Sequence, residues 1–125
     1  MSATTSSSSN PVSARLAAIR YTFLSELPDR RDELAQVLDG IDRSAEREDR
    51  LTRALRIAHR LAGVSGTLGF PLLGRRAMEA QEALQKAIAL PKGSGPETRA
   101  LAALATLLGA MTQVCETRED VRKDG

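Results

Sequence analysis

Apolar residues recur along the chain at intervals of three and four, the spacing that keeps one face of an α-helix out of water. After Ser13, a residue type suited to an N-cap, Leu16, Ile19, Tyr21, Phe23, Leu24 and Leu27 supply the apolar material of a first helix over 13–26. Pro28 predicts a break or kink, beyond which Leu34, Val37, Leu38 and Ile41 share one face of a helix ending near Gly40. A third helix is predicted from Glu46 to Leu68, with Gly69 as its stop, and Pro71 suits the first turn of a fourth over 71–89. The segment LPKGSGPE from Leu90 reads as a loop, and Pro96 is well placed to start a last helix over 96–118. Short connections between helices of similar length favour antiparallel neighbours. The pattern thus predicts an all-α fold: an antiparallel up-and-down four-helix bundle with an additional N-terminal helix.

Composition agrees with that reading and narrows it. The chain of 125 residues is one domain's worth, and its only aromatics are Tyr21, Phe23 and Phe70, a poor supply for sheets. Residues 1–12, MSATTSSSSNPV, are polar and repetitive, which predicts a disordered tail. The bundle is expected over 13–120, with 121–125 as a second disordered end. Net charge is only +2, without a basic block or an aromatic stacking platform, so nucleic acid is not the expected partner. Cys115 is the only cysteine and His59 the only histidine, too few for a four-ligand zinc site or an internal disulfide. The longest apolar run, ALAALATLLGAM from Ala100, is shorter than a membrane span, and the N-terminus lacks a basic region followed by an apolar stretch. The expectation is a cytoplasmic protein without metal or membrane.

The chemistry concentrates in IAHRLAGVSGTLGF, residues 57–70. On a helical wheel Leu51, Ala54, Ala58, Leu61, Ser65 and Leu68 fall in one sector, flanked by Ile57 and Val64, and His59 points roughly 130° away from its middle. Around the imidazole lie Leu55 and Arg56 one turn before, Ala62 and Gly63 one turn after, and Gly66 a turn further on. Each glycine costs a helix interior roughly 1 kcal/mol relative to alanine. Grouped on the histidine's own face, they leave a backbone-level surface that a second protein can approach.

His59 stands eleven residues before Phe70 and Gln81 eleven after it. Equal travel along two antiparallel helices brings those positions to the same height. A side-chain oxygen at the Nδ1 proton fixes the ring and leaves the Nε2 lone pair free for an electrophile. Gln81 has such an oxygen, with Glu79 and Glu82 as alternatives.

These residues resemble the histidine-containing phosphotransfer (HPt) domain family. Its pattern, His-x-Leu/Ile-Lys-Gly followed by small residues and a hydrophobic-Gly pair, is met by His59, Leu61, Gly63, Ser65, Gly66 and the pair Leu68-Gly69. The likeness continues through RRAMEAQEAL and covers about 105 residues with the flanking helices. It implies that His59 accepts a phosphoryl group, and that Gln81 occupies the position where relatives carry a Glu or Gln bonded to the ring. One position departs: the usual Lys is Ala62 here. Arg56, on the same exposed face, is the first candidate to replace that cation, with Arg60 and Arg75 behind it.

The resemblance implies a phosphorelay carrier. Response-regulator receiver domains, charged by a histidine kinase or hybrid kinase, would dock on the strip formed by Leu55, Arg56, Arg60, Ala62, Gly63, Gly66 and Arg75, and would themselves bring the magnesium ion. The chain has no GxxxxGK[ST] phosphate loop, so no kinase activity of its own is expected. Two other classes compete: an enzyme pairing His59 with Cys115 or a serine, and a helical adaptor that docks a receiver or kinase without phosphoryl transfer.

Overall fold

Four helices make up the computed structural model, which describes residues 11–40, 46–91 and 93–124, with side chains through Thr117. They are α1 Pro11–Asp39, α2 Arg47–Val64, α3 Pro71–Ile88 and α4 Gly95–Asp124. Residues 1–10 of the expected tail, Ile41 and Gly125 lie outside the described residues. The helices overrun both expected ends: α1 already includes Pro11 and Val12, and α4 continues to Asp124.

The first helix departs most from the expectation. It runs unbroken through Pro28, so the additional N-terminal helix is not a separate element. An interior proline costs a helix about 3 kcal/mol, whereas each fully buried Leu or Val contributes about 1.5–3 kcal/mol. Leu27 on one side of Pro28, and Leu34 and Val37 on the other, are all buried in the core. Keeping both halves on one axis presents a single apolar stripe to the bundle, and that burial outweighs the lost backbone bond.

Helix α2 ends at Val64, four residues short of the expected Leu68, and residues 65–69 form a closing turn that Gly69 terminates. Phe70 N–H donates to the Ser65 carbonyl at 2.8 Å and Gly69 N–H to the Gly66 carbonyl at 3.2 Å. This is a Schellman closure, with Gly69 at φ +94° in the left-handed region that glycine tolerates. Pro71 then opens α3 at its first position, where a missing N–H costs nothing. At α4 the Ser94 hydroxyl accepts from Glu97 N–H at 3.3 Å, a side-chain N-cap.

Two contacts hold α2 and α3 along each other. Beside the turn, Gly74 of α3 comes so close to Gly66 that a Cβ on it would lie 3.3 Å from the Gly66 nitrogen. At the far end Arg47, which opens α2, donates to the carbonyl of Leu90 just past α3 at 3.5 Å. Arg47 Nε also donates to Glu97 of α4 at 2.7 Å, an ion pair only 14% and 11% exposed at its two side chains.

The core is one cluster drawn from all four helices, including Leu34, Leu51, Leu61, Leu73, Leu84, Leu104 and Met111. The seam read on α2 is buried as expected: Leu51, Ala54, Ala58, Leu61, Ser65 and Leu68, together with Ile57, while Val64 stays exposed. The membrane expectation needs a correction. Taken as a window rather than an unbroken run, Gly95–Thr117 of α4 is long and apolar enough to cross a membrane by length and composition. In this fold the same stretch buries Ala100, Leu104, Leu107, Met111 and Cys115 in the bundle core.

Candidate functional site

His59 sits on the side of α2 turned away from the core. Its neighbour Ala58 is fully buried, while His59 and Arg60 are exposed. Among the described residues the imidazole has neither a hydrogen bond nor an ion pair. A nucleophilic nitrogen on a rigid helix is thus open to an approaching electrophile.

The glycines near it have three different causes, which the structure separates. Gly69 is required by its positive φ, and Gly74 by the close approach of α3 to α2. Gly63 and Gly66 are required by neither, because a Cβ added to either meets nothing within 4 Å among the described residues. Close packing between helices of this chain does not account for them. What they do is lower the surface on the C-terminal side of the histidine to the level of the backbone.

The contact at Gly74 bears on where Gln81 stands. Gly66 lies seven residues after His59, and Gln81 seven after Gly74. Seven residues are close to two full turns of an ideal helix, about 10.5 Å along its axis, and Gly66 lies in the closing turn two residues past the end of α2. Moving that distance away from the Gly66–Gly74 contact along both helices arrives at His59 on α2 and Gln81 on α3. Gln81 is half-buried at the edge of the core. Among the described residues no hydrogen bond joins it to the imidazole, so the ring is not pinned by it in this structure. Glu79 is drawn elsewhere, accepting from Arg76 at 3.0 Å.

Arg56, Arg60, Gly63 and Gly66 are exposed, and Leu55 and Ala62 are half-buried where α2 meets the bundle. Arg75 is exposed on α3 but stands six residues before Gln81, roughly 9 Å along the axis, near the turn rather than level with the ring. Met78 escaped the sequence reading. It lies one turn before Gln81, is apolar and is 52% exposed, so it adds a soft contact to the same face. Its signal was an apolar residue outside the core spacing of α3, which only the observed burial distinguishes from a core position. Cys115 is buried on α4, and the structure does not bring it together with the exposed His59.

Comparison with known proteins bears on this geometry. The family model described as Hpt domain matches residues 18–121. No curated protein and no solved structure is matched by the chain.

Proposed function

The chain belongs to the Hpt domain family, a family with phosphotransfer roles in two-component signalling whose members interact with receiver domains and kinases; from that premise we propose that it is a phosphorelay carrier with His59 as the phosphoryl acceptor. The observation that carries this reading is an exposed imidazole beside two glycines, Gly63 and Gly66, that the chain's own packing does not require. In the proposed step, Nε2 of His59 attacks the phosphorus of a receiver's aspartyl phosphate. The new N–P bond forms as the P–O bond to the aspartate breaks, and the carboxylate leaves. The ring keeps its Nδ1 proton, toward which the Gln81 side-chain oxygen turns. Reversal onto a second receiver completes the relay.

The bundle's part is to hold a nucleophile in place, which is most of what phosphoryl transfer asks of it. The receiver supplies magnesium; the carrier itself takes no cofactor and has no kinase activity. The antiparallel up-and-down arrangement belongs to the same reading, supported by Gly66 against Gly74 at one end of the α2–α3 pair and Arg47 on Leu90 at the other. A cytoplasmic setting is also proposed, in keeping with a cysteine-poor chain.

Ala62, where the family's lysine is expected, favours a second reading, an adaptor that docks a receiver or kinase without transfer. Incubation with a panel of phosphorylated receiver domains separates the two. Acid-labile, base-stable label on the wild type and none on His59→Gln supports the relay, while binding without label on either supports the adaptor.

A further inference from the structure

The apolar stripe of α1 outruns the bundle. On a helical wheel Val12, Leu16, Ile19 and Phe23 fall in the same sector of roughly 80° as Leu27, Leu34 and Val37, which α1 buries in the core. Phe23 is half-buried and stacks on Phe70 at 5.7 Å. Before it every residue from Pro11 to Thr22 is exposed, with Val12 at 64%, Leu16 at 42% and Ile19 at 45%. The helix thus continues past the α2–α3 turn as an overhang about 16 Å long, its apolar side turned over the bundle's end. Beside it lies a corner of about 590 Å³ between α1, the turn and α4, whose walls include Leu24, Phe70, Val114 and the exposed Leu72.

We propose that this end of the bundle is the contact surface of a two-fold dimer, in which the overhang of each chain seats its apolar ridge in the corner of a second copy. One surface carries both the ridge and the concavity that fits it, which is what a contact between identical patches requires. The stripe steps 4-3-4 from Val12 to Phe23, the spacing of a coiled-coil seam. Its flanking charges set the direction. Arg15 and Arg20 stand on opposite sides of the seam, and no acidic residue precedes Glu26. A parallel pair would bring Arg15 against Arg20 of the partner subunit. An antiparallel pair with Leu16 beside Ile19 of the partner subunit sets Arg15 opposite Thr22 of the partner subunit and Arg20 opposite Ser13 of the partner subunit, so that like charges do not meet. A lipid surface fits less well, because it is planar and the apolar side faces a corner. Two such helices and the corners that receive them bury on the order of 1,200 Å² in all, the low end for a specific interface, so the dimer forms in the micromolar range. His59 stands eleven residues before Phe70, away from this end, and both imidazoles stay open.

Sedimentation equilibrium of the full chain tests this. The wild type should rise from 13.4 kDa toward twice that mass with increasing concentration. Ile19→Glu should stay monomeric, because a carboxylate without a partner is not accepted between apolar walls. Leu16→Ala combined with Ile19→Ala, which adds no charge, should weaken the dimer about ten-fold or more. Both sites are exposed in the monomer, so the helical circular dichroism should be unchanged. Leu90→Glu, at an exposed apolar residue on the opposite end, should dimerise as the wild type does. A wild type that is monomeric at every concentration, or a dimer that Ile19→Glu leaves intact, would overturn the proposal, and a monomer that co-sediments with phosphatidylglycerol vesicles would give the face to a membrane instead. Phosphoramidate, a small phosphoryl donor that needs no docking, should label His59 at the same rate in wild type and Ile19→Glu. A faster rate in the variant would mean that the two copies meet over His59 and not at the turn.

Discussion

Gly63, Gly69 and Gly74 look alike in the sequence and separate sharply by what surrounds them. Gly63→Ala should raise stability in urea unfolding by about 0.5–1 kcal/mol, since a helical alanine replaces a glycine with open space at its Cβ. Gly69→Ala should lower it by about 1–2 kcal/mol, the cost of a Cβ in the left-handed region. Gly74→Val should lower it by about 1–3 kcal/mol through overpacking against Gly66. If Gly63→Ala proves as damaging as Gly74→Val, the surface beside the imidazole has an internal structural use and the argument for access fails. Gln81 makes a narrower prediction. Gln81→Leu should slow receiver-to-His59 transfer while leaving the urea midpoint within error, and an unchanged rate would remove its orienting role. The glycine cluster was legible in the sequence because it falls on the histidine's face. Which glycines serve packing was not, since that depends on how the chain beyond the turn returns against residues 65 and 66.

At the scale of the element, α1 teaches most. Local chemistry at Pro28 argues for two helices, and the continuous stripe of Leu27, Leu34 and Val37 argues for one. The stripe prevails because its burial is shared with α2 and α4, while the proline's cost is local. Pro28→Ala should therefore raise the melting temperature, with a gain of up to about 3 kcal/mol. A lower melting temperature would mean that the half-buried pyrrolidine ring contributes packing that alanine cannot replace. The turn between α2 and α3 and the start of α3 were more readable, since Gly69 and Pro71 act on the backbone without help from elsewhere.

For the molecule as a whole, the Arg47–Glu97 pair joins the starts of α2 and α4. Glu97 also accepts from Gly93 N–H at 3.2 Å, and Arg47 reaches the Leu90 carbonyl, so this one cluster clamps the end of the bundle opposite the α2–α3 turn. Arg47→Ala leaves a largely buried carboxylate without its cation and should cost about 3 kcal/mol. Urea denaturation checks it, and a loss below about 0.5 kcal/mol, the level of an ordinary surface substitution, would show that the cluster is not a clamp. Phosphoramidate labelling of His59 in that variant, under conditions where it remains folded, should match the wild type, because the clamp lies far from the ring. At the other end Phe23 stacks on Phe70 at 5.7 Å, and Arg20 covers the same ring at 5.0 Å. The two-turn step from Gly66 and Gly74 to His59 and Gln81 is thus measured from a turn held on several sides.

The sequence alone determined the helical class, the seam of α2, the turn at Gly69 and the histidine with its low-profile surroundings. Each of these rests on spacing within one helix or on the conformational preference of one residue, and both are local properties. Only the tertiary structure decided that α1 passes through Pro28, that Gly74 rather than Gly63 is the packing glycine, and that among the described residues Arg56 and Arg60 lack carboxylate partners while Arg30 and Arg53 have them. Those outcomes depend on which helix faces which and at what height. Many registers satisfy the same apolar periodicity, and the packing of side chains between helices selects one.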